Sequence, residues 1–255
     1  EFEFFDPTEA DIGRIRALLF ARFSASWPAY VDERIDVHRW ATAIAAQTRV
    51  GSTIRVSQEA ECLGFVTMLE LRTHGELLRP LVACVRKATP FKGVAADGVQ
   101  ESSALAERLD LYFQETASGR CGLLLFERVV NLPPELIPWV QEAIFSEVQW
   151  AVEDEPTQAG RDSFKLDSLI YLTDVFLDTA NHPKTAKRRK RRRHTAAADT
   201  ASPHGTSAPA AAFERIEDDV LLAHADAAVT WAIPSEDPVP GGLTRRRMLM
   251  HLPYS

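Results

Sequence analysis

At 255 residues, with 45% hydrophobic and 25% charged residues, the chain has the make-up of a folded protein of one large domain or two small ones. Eight of its 29 basic residues lie in the ten positions from Lys184 to Arg193, which leaves 21 basic against 36 acidic residues elsewhere, a body near −15 that repels nucleic-acid phosphate and favours basic partners. No apolar run reaches the roughly 20 residues that span a bilayer, the opening Glu1-Phe2-Glu3-Phe4-Phe5 lacks the basic start of a signal peptide, and Cys62, Cys84 and Cys121 are isolated, as in a reducing compartment.

The first strand is expected within Glu1–Phe5. Asp6-Pro7-Thr8-Glu9 then starts a helix, with Thr8 and Asp11 at capping-box spacing. Ile12, Ile15, Leu19 and Phe23 follow at helical spacing and should face a core. After Pro28 a second helix is expected from Asp32 to Gln47, burying Ile35, Trp40 and Ile44. The turn at Gly51 leads to two strands, Ser52–Gln58 and Cys62–Leu71, joined as a hairpin through Glu59–Glu61. Glu76–Lys87 and Ser102–Thr116 read as amphipathic helices, with Pro90, Gly93 and Gly98 between them.

Cys121–Phe126, with the apolar run Leu123–Phe126, fits a central strand covered on both faces. Asn131-Leu132-Pro133-Pro134 turns the chain into a helix, Pro134 or Pro138 suiting its first turn, and that helix is expected to carry Val140, Ile144, Val148 and Trp150. Phe164–Phe176 reads as a further strand. From Asn181 to Ala212 the composition offers almost nothing to bury, and a disordered insertion is expected. Phe213, Ile216, Val220 and Leu221 suit a helix, and Ala227–Ile233 and Leu243–Leu252 suit two last strands. This order predicts an α+β fold, a mixed sheet with helices on both faces, in one domain spanning 1–255 and interrupted at 181–212. It has the general form of the acetyl-CoA-dependent (GCN5-related) N-acetyltransferase fold.

That form directs attention to Arg72-Thr73-His74-Gly75-Glu76-Leu77. Acetyltransferases hold a pyrophosphate on backbone N–H groups in an Arg/Gln-x-x-Gly-x-Gly/Ala loop. Here Arg72 and Gly75 match, but Leu77 replaces a small residue and Glu76 repels phosphate, so the loop is degenerate and no cofactor is expected. The plainer reading is a strand-to-helix turn with Gly75 supplying backbone freedom.

No other catalytic pattern stands out. None of the seven histidines forms a metal-spaced pair, the cysteines read as buried and inert, and no GxSxG, Walker A or Rossmann glycine pattern occurs. The run Lys187, Arg188, Arg189, Lys190, Arg191, Arg192 and Arg193 reads as a nuclear import signal, with a phosphate contact or a plain solvated charge block as alternatives. Without interleaved aromatics it does not suit single-stranded RNA, and no sequence-specific nucleic-acid binding is expected. Arg245-Arg246-Arg247 reads as exposed charge on an edge strand. Glu153-Asp154-Glu155 reads as a solvated acidic corner and a second candidate binding surface.

The most distinctive block is Leu124–Leu136. A buried strand ends in Glu127 and Arg128, whose side chains point to opposite faces and need separate partners. A turn held by Asn131 follows, then a helix started by Pro133 and Pro134. Glu127, Arg128, Asn131, Pro133 and Pro134 are therefore either a partner-binding surface or a fold-defining corner.

This block, Glu127-Arg128-x-x-Asn131-x-Pro133-Pro134 after an apolar strand, resembles the BCCIP/Bcp family of eukaryotic nuclear proteins. Glu3-Phe4-Phe5-Asp6-Pro7, Gly51-Ser52-Thr53-Ile54 before Leu63-Gly64-Phe65-Val66, Tyr171-Leu172 and Met248-Leu249-Met250 fit the family in order, over nearly the whole chain except 181–212. The resemblance implies an acetyltransferase-like fold without that activity, in a nuclear or shuttling binding protein. Yeast-type members look after a large-subunit ribosomal protein and take part in nuclear export of a lipid kinase; animal members bind a DNA-repair mediator and a cyclin-dependent kinase inhibitor. The expected partners are thus a basic ribosomal client, nuclear transport receptors, or repair and cell-cycle proteins, with no membrane. A degenerate acyltransferase is the enzymatic alternative. The sequence lacks an initiator Met and is expected to be a fragment. It departs from the family in that the acidic leader is not in it, the basic loop is unusual, and Tyr254-Ser255 falls short of a final helix.

Overall fold

Glu3–Phe5 forms the first strand, β1, and the Thr8 N–H and Oγ1 both donate to the Asp11 carboxylate (2.9 and 2.8 Å), closing the expected cap before α1 (Ile12–Phe23). These features come from a computed structural model that describes residues 2–23, 35–91, 102–178, 211–213, 215–233 and 243–254. Ile15, Leu19 and Phe23 are buried at one-turn spacing, as a core-facing stripe requires. The second helix, α2, is shorter than expected, Val37–Ala45, because Asp36 caps it by accepting from the His38 and Arg39 N–H groups at 3.0 and 3.1 Å. Ile35 precedes it, and 32–34 lie outside the described residues.

The hairpin is β2 (Ser52–Arg55) and β3 (Gly64–Glu70), antiparallel in the register Ser52↔Val66. Val56 and Cys62 fall outside these strands, though Cys62 is still buried. Helix α3 (Gly75–Arg86), the short β4 (Thr89–Pro90) and α4 (Ser102–Tyr112) lead to β5 (Cys121–Arg128), central as expected. Pro134–Leu136 makes a 3-10 turn into α5 (Ile137–Asp154). Between α5 and β6 (Ser168–Asp178) lies a helix the sequence did not signal, α6 (Gln158–Phe164), capped by Thr157 accepting the Gly160 N–H at 3.0 Å. Phe164 ends that helix, so the strand starts four residues later than expected.

Phe213, expected in a helix, stands in a strand, β7 (Ala211–Phe213), which claims the last two residues assigned to the insertion. Then come α7 (Ile216–His224), β8 (Ala227–Ala232) and β9 (Leu243–Pro253).

Among the described residues the strands form one mixed sheet in the order β1-β2-β3-β5-β6-β9-β8-β4, with β7 also on β6. Strands that precede and follow the 179–210 stretch therefore share one sheet; β6 and β9 pair from Ser168↔Pro253 to Asp178↔Leu243. Helices cover both faces, as expected for this α+β fold. α1 to α4 pack on one side, around Trp40, Phe65, Leu78, Leu123 and Leu249. α5 to α7 pack on the other, around Ile144, Val148, Leu124, Tyr171 and Met250. Alternate residues of β5 and β6 serve opposite cores, which explains why both strands read as unbroken apolar runs.

Arg245-Arg246-Arg247 is not edge charge. β9 is flanked by β6 and β8, and Arg247 is 1% exposed.

Candidate functional site

β5 and β6 are the one parallel pair among the described strands, in register from Cys121↔Ser168 to Leu124↔Tyr171. Beyond Leu124 and Tyr171 they part, and β7 takes the freed edge of β6 at Val175–Leu177. The carboxyl ends of diverging parallel strands are where α/β sheets characteristically receive small ligands. The equivalent of a phosphate-binding strand-to-helix loop is thus the turn between β5 and α5, and not Arg72–Leu77, which joins the antiparallel β3 to α3.

At that turn the chain offers a poor anion cradle. Pro133, Pro134 and Pro138 carry no N–H, the Leu136 N–H is spent on the Pro133 carbonyl at 3.2 Å, and Arg128 is drawn to the Leu132 carbonyl at 3.1 Å. Arg72 is likewise committed to structure, donating to the Ala117 and Gly119 carbonyls at 3.2 and 3.1 Å. Gly75 opens α3 without a left-handed backbone, so the freedom expected of it is not used. Leu77 is half-buried, and its carbonyl accepts from the Trp40 indole at 3.2 Å. Glu76 is exposed and pairs with Arg39 at 3.1 Å.

The space between the parting strands holds a buried ionic network. Arg22 reaches across it, 3.4 Å from Glu127 on β5 and 3.5 Å from Asp174 on β6. Arg215, just before α7, pairs with Glu127 at 2.6 Å and donates to the Phe126 carbonyl at 2.6 Å. Asp218 accepts from the Tyr171 hydroxyl at 2.8 Å and from the Thr173 hydroxyl. Asp174 also binds Arg245 at 2.7 Å and Arg247, whose Nη2 donates to the Arg22 carbonyl at 2.7 Å. Two helices, one loop and three strands are tied together in this way.

The electrostatics follow from burial set against pairing. Burial disfavours the Asp174 carboxylate, but Arg247 and Arg22 outweigh it and hold its pKa below the ordinary range. Burial also opposes the charge on Arg22, while Glu127 and Asp174 raise its pKa overall. For Asp218 burial dominates the Thr173 and Tyr171 hydrogen bonds, and its pKa is raised to about 6. The thiols of Cys62, Cys84 and Cys121 are pushed up by burial to about 11, 12 and 12, which leaves them neutral and unreactive.

The expected corner divides in two. Glu127 and Arg128 do find separate partners, Glu127 in the network above and Arg128 with Glu217 of α7 at 3.2 Å. Both are structural. The part that faces solvent is Val130, Asn131 and Pro134, all exposed. Asn131 does not cap the helix: Pro133 occupies the capping position of the 3-10 turn and makes no side-chain hydrogen bond there. Glu153 and Asp154 are exposed at the end of α5, where Arg49 pairs with Asp154 at 3.3 Å and lies 3.8 Å from Glu155. Lys187–Arg193 lies outside the described residues. Among those residues no group of three His, Cys, Asp or Glu side chains is placed to hold a metal, and no helix is long and apolar enough to cross a membrane.

Sequence reasoning missed Arg22, Asp174, Arg215, Asp218 and Arg247. The available signal was a charge inside an apolar strand: Asp174 in Leu169–Phe176 and Arg247 before Met248-Leu249-Met250 each imply a buried counter-charge.

A sequence profile of the BCCIP family matches residues 1–221. The chain belongs to the BCCIP family. It is 30% identical over 194 residues to the Protein BCCIP homolog of Arabidopsis thaliana, covering 74% of this chain and 53% of that protein. It is 28% identical over 156 residues to Protein bcp1 of Emericella nidulans, covering 61% and 49%. The chain thus spans about half the length of these BCCIP-family relatives. The crystal structure of BCP1 from Saccharomyces cerevisiae superposes with a TM-score of 0.58 at 17% identity, over all of this chain and 82% of that one, a likeness of fold. None of these three relatives is named as an enzyme.

Proposed function

We propose that this BCCIP-family chain is a non-enzymatic nuclear binding protein, a chaperone or adaptor that holds a basic large-subunit ribosomal protein during ribosome assembly and export. The observation that carries the reading is the charge division: a body near −15 outside one basic run. Such a body covers a cationic RNA-binding surface and yields it to the denser charge of RNA. The filled splay between β5 and β6 adds support, because the position where this topology takes a small ligand is occupied by Arg22, Glu127, Asp174 and Arg215. The run Lys187–Arg193 serves as the import address in this reading, with shuttling between nucleus and cytoplasm.

A purified basic large-subunit ribosomal protein, mixed with non-cognate RNA at about 0.1 M salt, should be kept soluble by a stoichiometric amount of this chain. Precipitation at the same rate with and without it would remove the reading. Calorimetry with acetyl-CoA separates the enzymatic alternative, for which saturable heat is required.

A further inference from the structure

Helix α5 turns an unusual face outward. Its core side is Ile137, Val140, Ile144, Val148 and Ala151, all buried. On the opposite side Trp139 and Trp150 are each 65% exposed, although Trp150 was expected to continue the core stripe. Eleven residues separate them, three helical turns, so they stand in one line within about 20° and about 16 Å apart. Ala143 and Ser146 lie between them on the same line and leave a shallow seat bracketed by two indoles. Indole is among the side chains most stabilised by burial, and two aligned on one outer helix face mark an interaction surface.

The flank of that line is acidic. Glu142 and Glu153 sit about 40–60° to one side, with Gln149 between them, and all three are exposed. Neither Glu142 nor Glu153 has an ion-pair partner among the described residues; Glu153 accepts only the Gln149 amide, at 2.9 Å. Exposed indole faces beside unpaired carboxylates match the guanidinium in particular, which stacks on the ring while its edge donates to a carboxylate. Lysine satisfies the charge but not the stacking.

We propose that the Trp139–Trp150 face of α5 is the docking surface for an arginine-rich segment of a partner protein, Trp139 and Trp150 stacking guanidinium groups and Glu142 and Glu153 pairing with them. This names the surface on which the basic client of the preceding section is held, and it rests on that reading.

The test uses the full chain and fluorescein-labelled nona-arginine and nona-lysine, read by anisotropy at about 0.1 M salt. Wild type should bind nona-arginine more tightly than nona-lysine. The W139A/W150A variant, whose changes lie on the solvent side and should leave the melting curve in place, should lose about tenfold for nona-arginine and under about twofold for nona-lysine. E142Q/E153Q should weaken both peptides and flatten their salt dependence. Unchanged nona-arginine binding by W139A/W150A would overturn the assignment of the face while leaving the client reading intact. Absence of binding by wild type to either peptide would take the client reading down with it. A chain with Lys187–Arg193 replaced by glycine and serine supplies the remaining arm. If it binds nona-arginine several-fold more tightly, and only when both tryptophans are present, the occupant is the chain's own basic run, and the assignment to a partner is overturned.

Discussion

Asp174 on β6 and Arg247 on β9 stand opposite each other in the antiparallel ladder, 0% and 1% exposed, and the guanidinium of Arg247 grips the Asp174 carboxylate. The Arg247 guanidinium also lies 5.0 Å from the centre of the Phe23 ring, so one side chain joins the sheet to α1. Removing one partner of such a pair strands the other charge where water cannot reach it. D174N should therefore cost about 3–5 kcal/mol in urea unfolding, whereas R245A, at the half-buried rim of the same network, should cost about 1 kcal/mol or less.

Asp218 gives the network a pH signature. Its folded-state pKa of about 6 lies above the ordinary carboxylate value, so the folded state holds this proton more tightly than the unfolded chain. Its contribution is fully present below about pH 4 and is lost as pH rises through about 6. Asp174 works in the opposite sense, stabilising above the ordinary carboxylate range and losing that stabilisation on acidification. In D218N the first effect is absent. The stability of wild type relative to D218N should therefore fall by on the order of 2 kcal/mol between pH 4 and pH 7. A difference that stays constant across that range would contradict the assignment.

Among the described residues Gly51 is the one glycine whose backbone demands glycine. Its φ of +134° suits no other residue, and a Cβ there would come 2.8 Å from the Thr67 hydroxyl. Its N–H donates to Glu147 at 2.7 Å, fixing the start of the hairpin to α5. G51A should cost about 1–3 kcal/mol by thermal or urea unfolding, while G75A, at a glycine with no such constraint, should stay within about 0.5 kcal/mol.

The import reading has its own readout. Neutralising Lys187–Arg193 should move a tagged chain from nucleus to cytoplasm without changing its unfolding midpoint. Unchanged nuclear staining would sink it.

Most of the fold was legible because helix and strand periods were clean where one face met a core. Ile15, Leu19 and Phe23 announced α1, and the run Leu123–Phe126 announced a strand buried on both sides. α6 was hidden because Gln158–Ser163 carries no apolar stripe, and its capping Thr157 resembles any loop threonine. β9 was read as an edge because three arginines suggested solvent. The sequence could not show that Asp174, 73 residues before Arg247, pairs with both Arg245 and Arg247. The site was legible in composition and illegible in geometry. Glu127 and Arg128 drew attention as charges at a strand end, yet they serve the interior, while the exposed Trp150 of α5 passed as core because it follows Val148 so closely.

The central claim is that this acidic fold holds a basic protein. Its most direct test is the mass-spectrometric inventory of proteins retained by the tagged chain from nuclear extract at moderate salt. The account predicts a basic large-subunit ribosomal protein at near-stoichiometric amount, released as salt rises. An inventory without any ribosomal protein at that salt would contradict it.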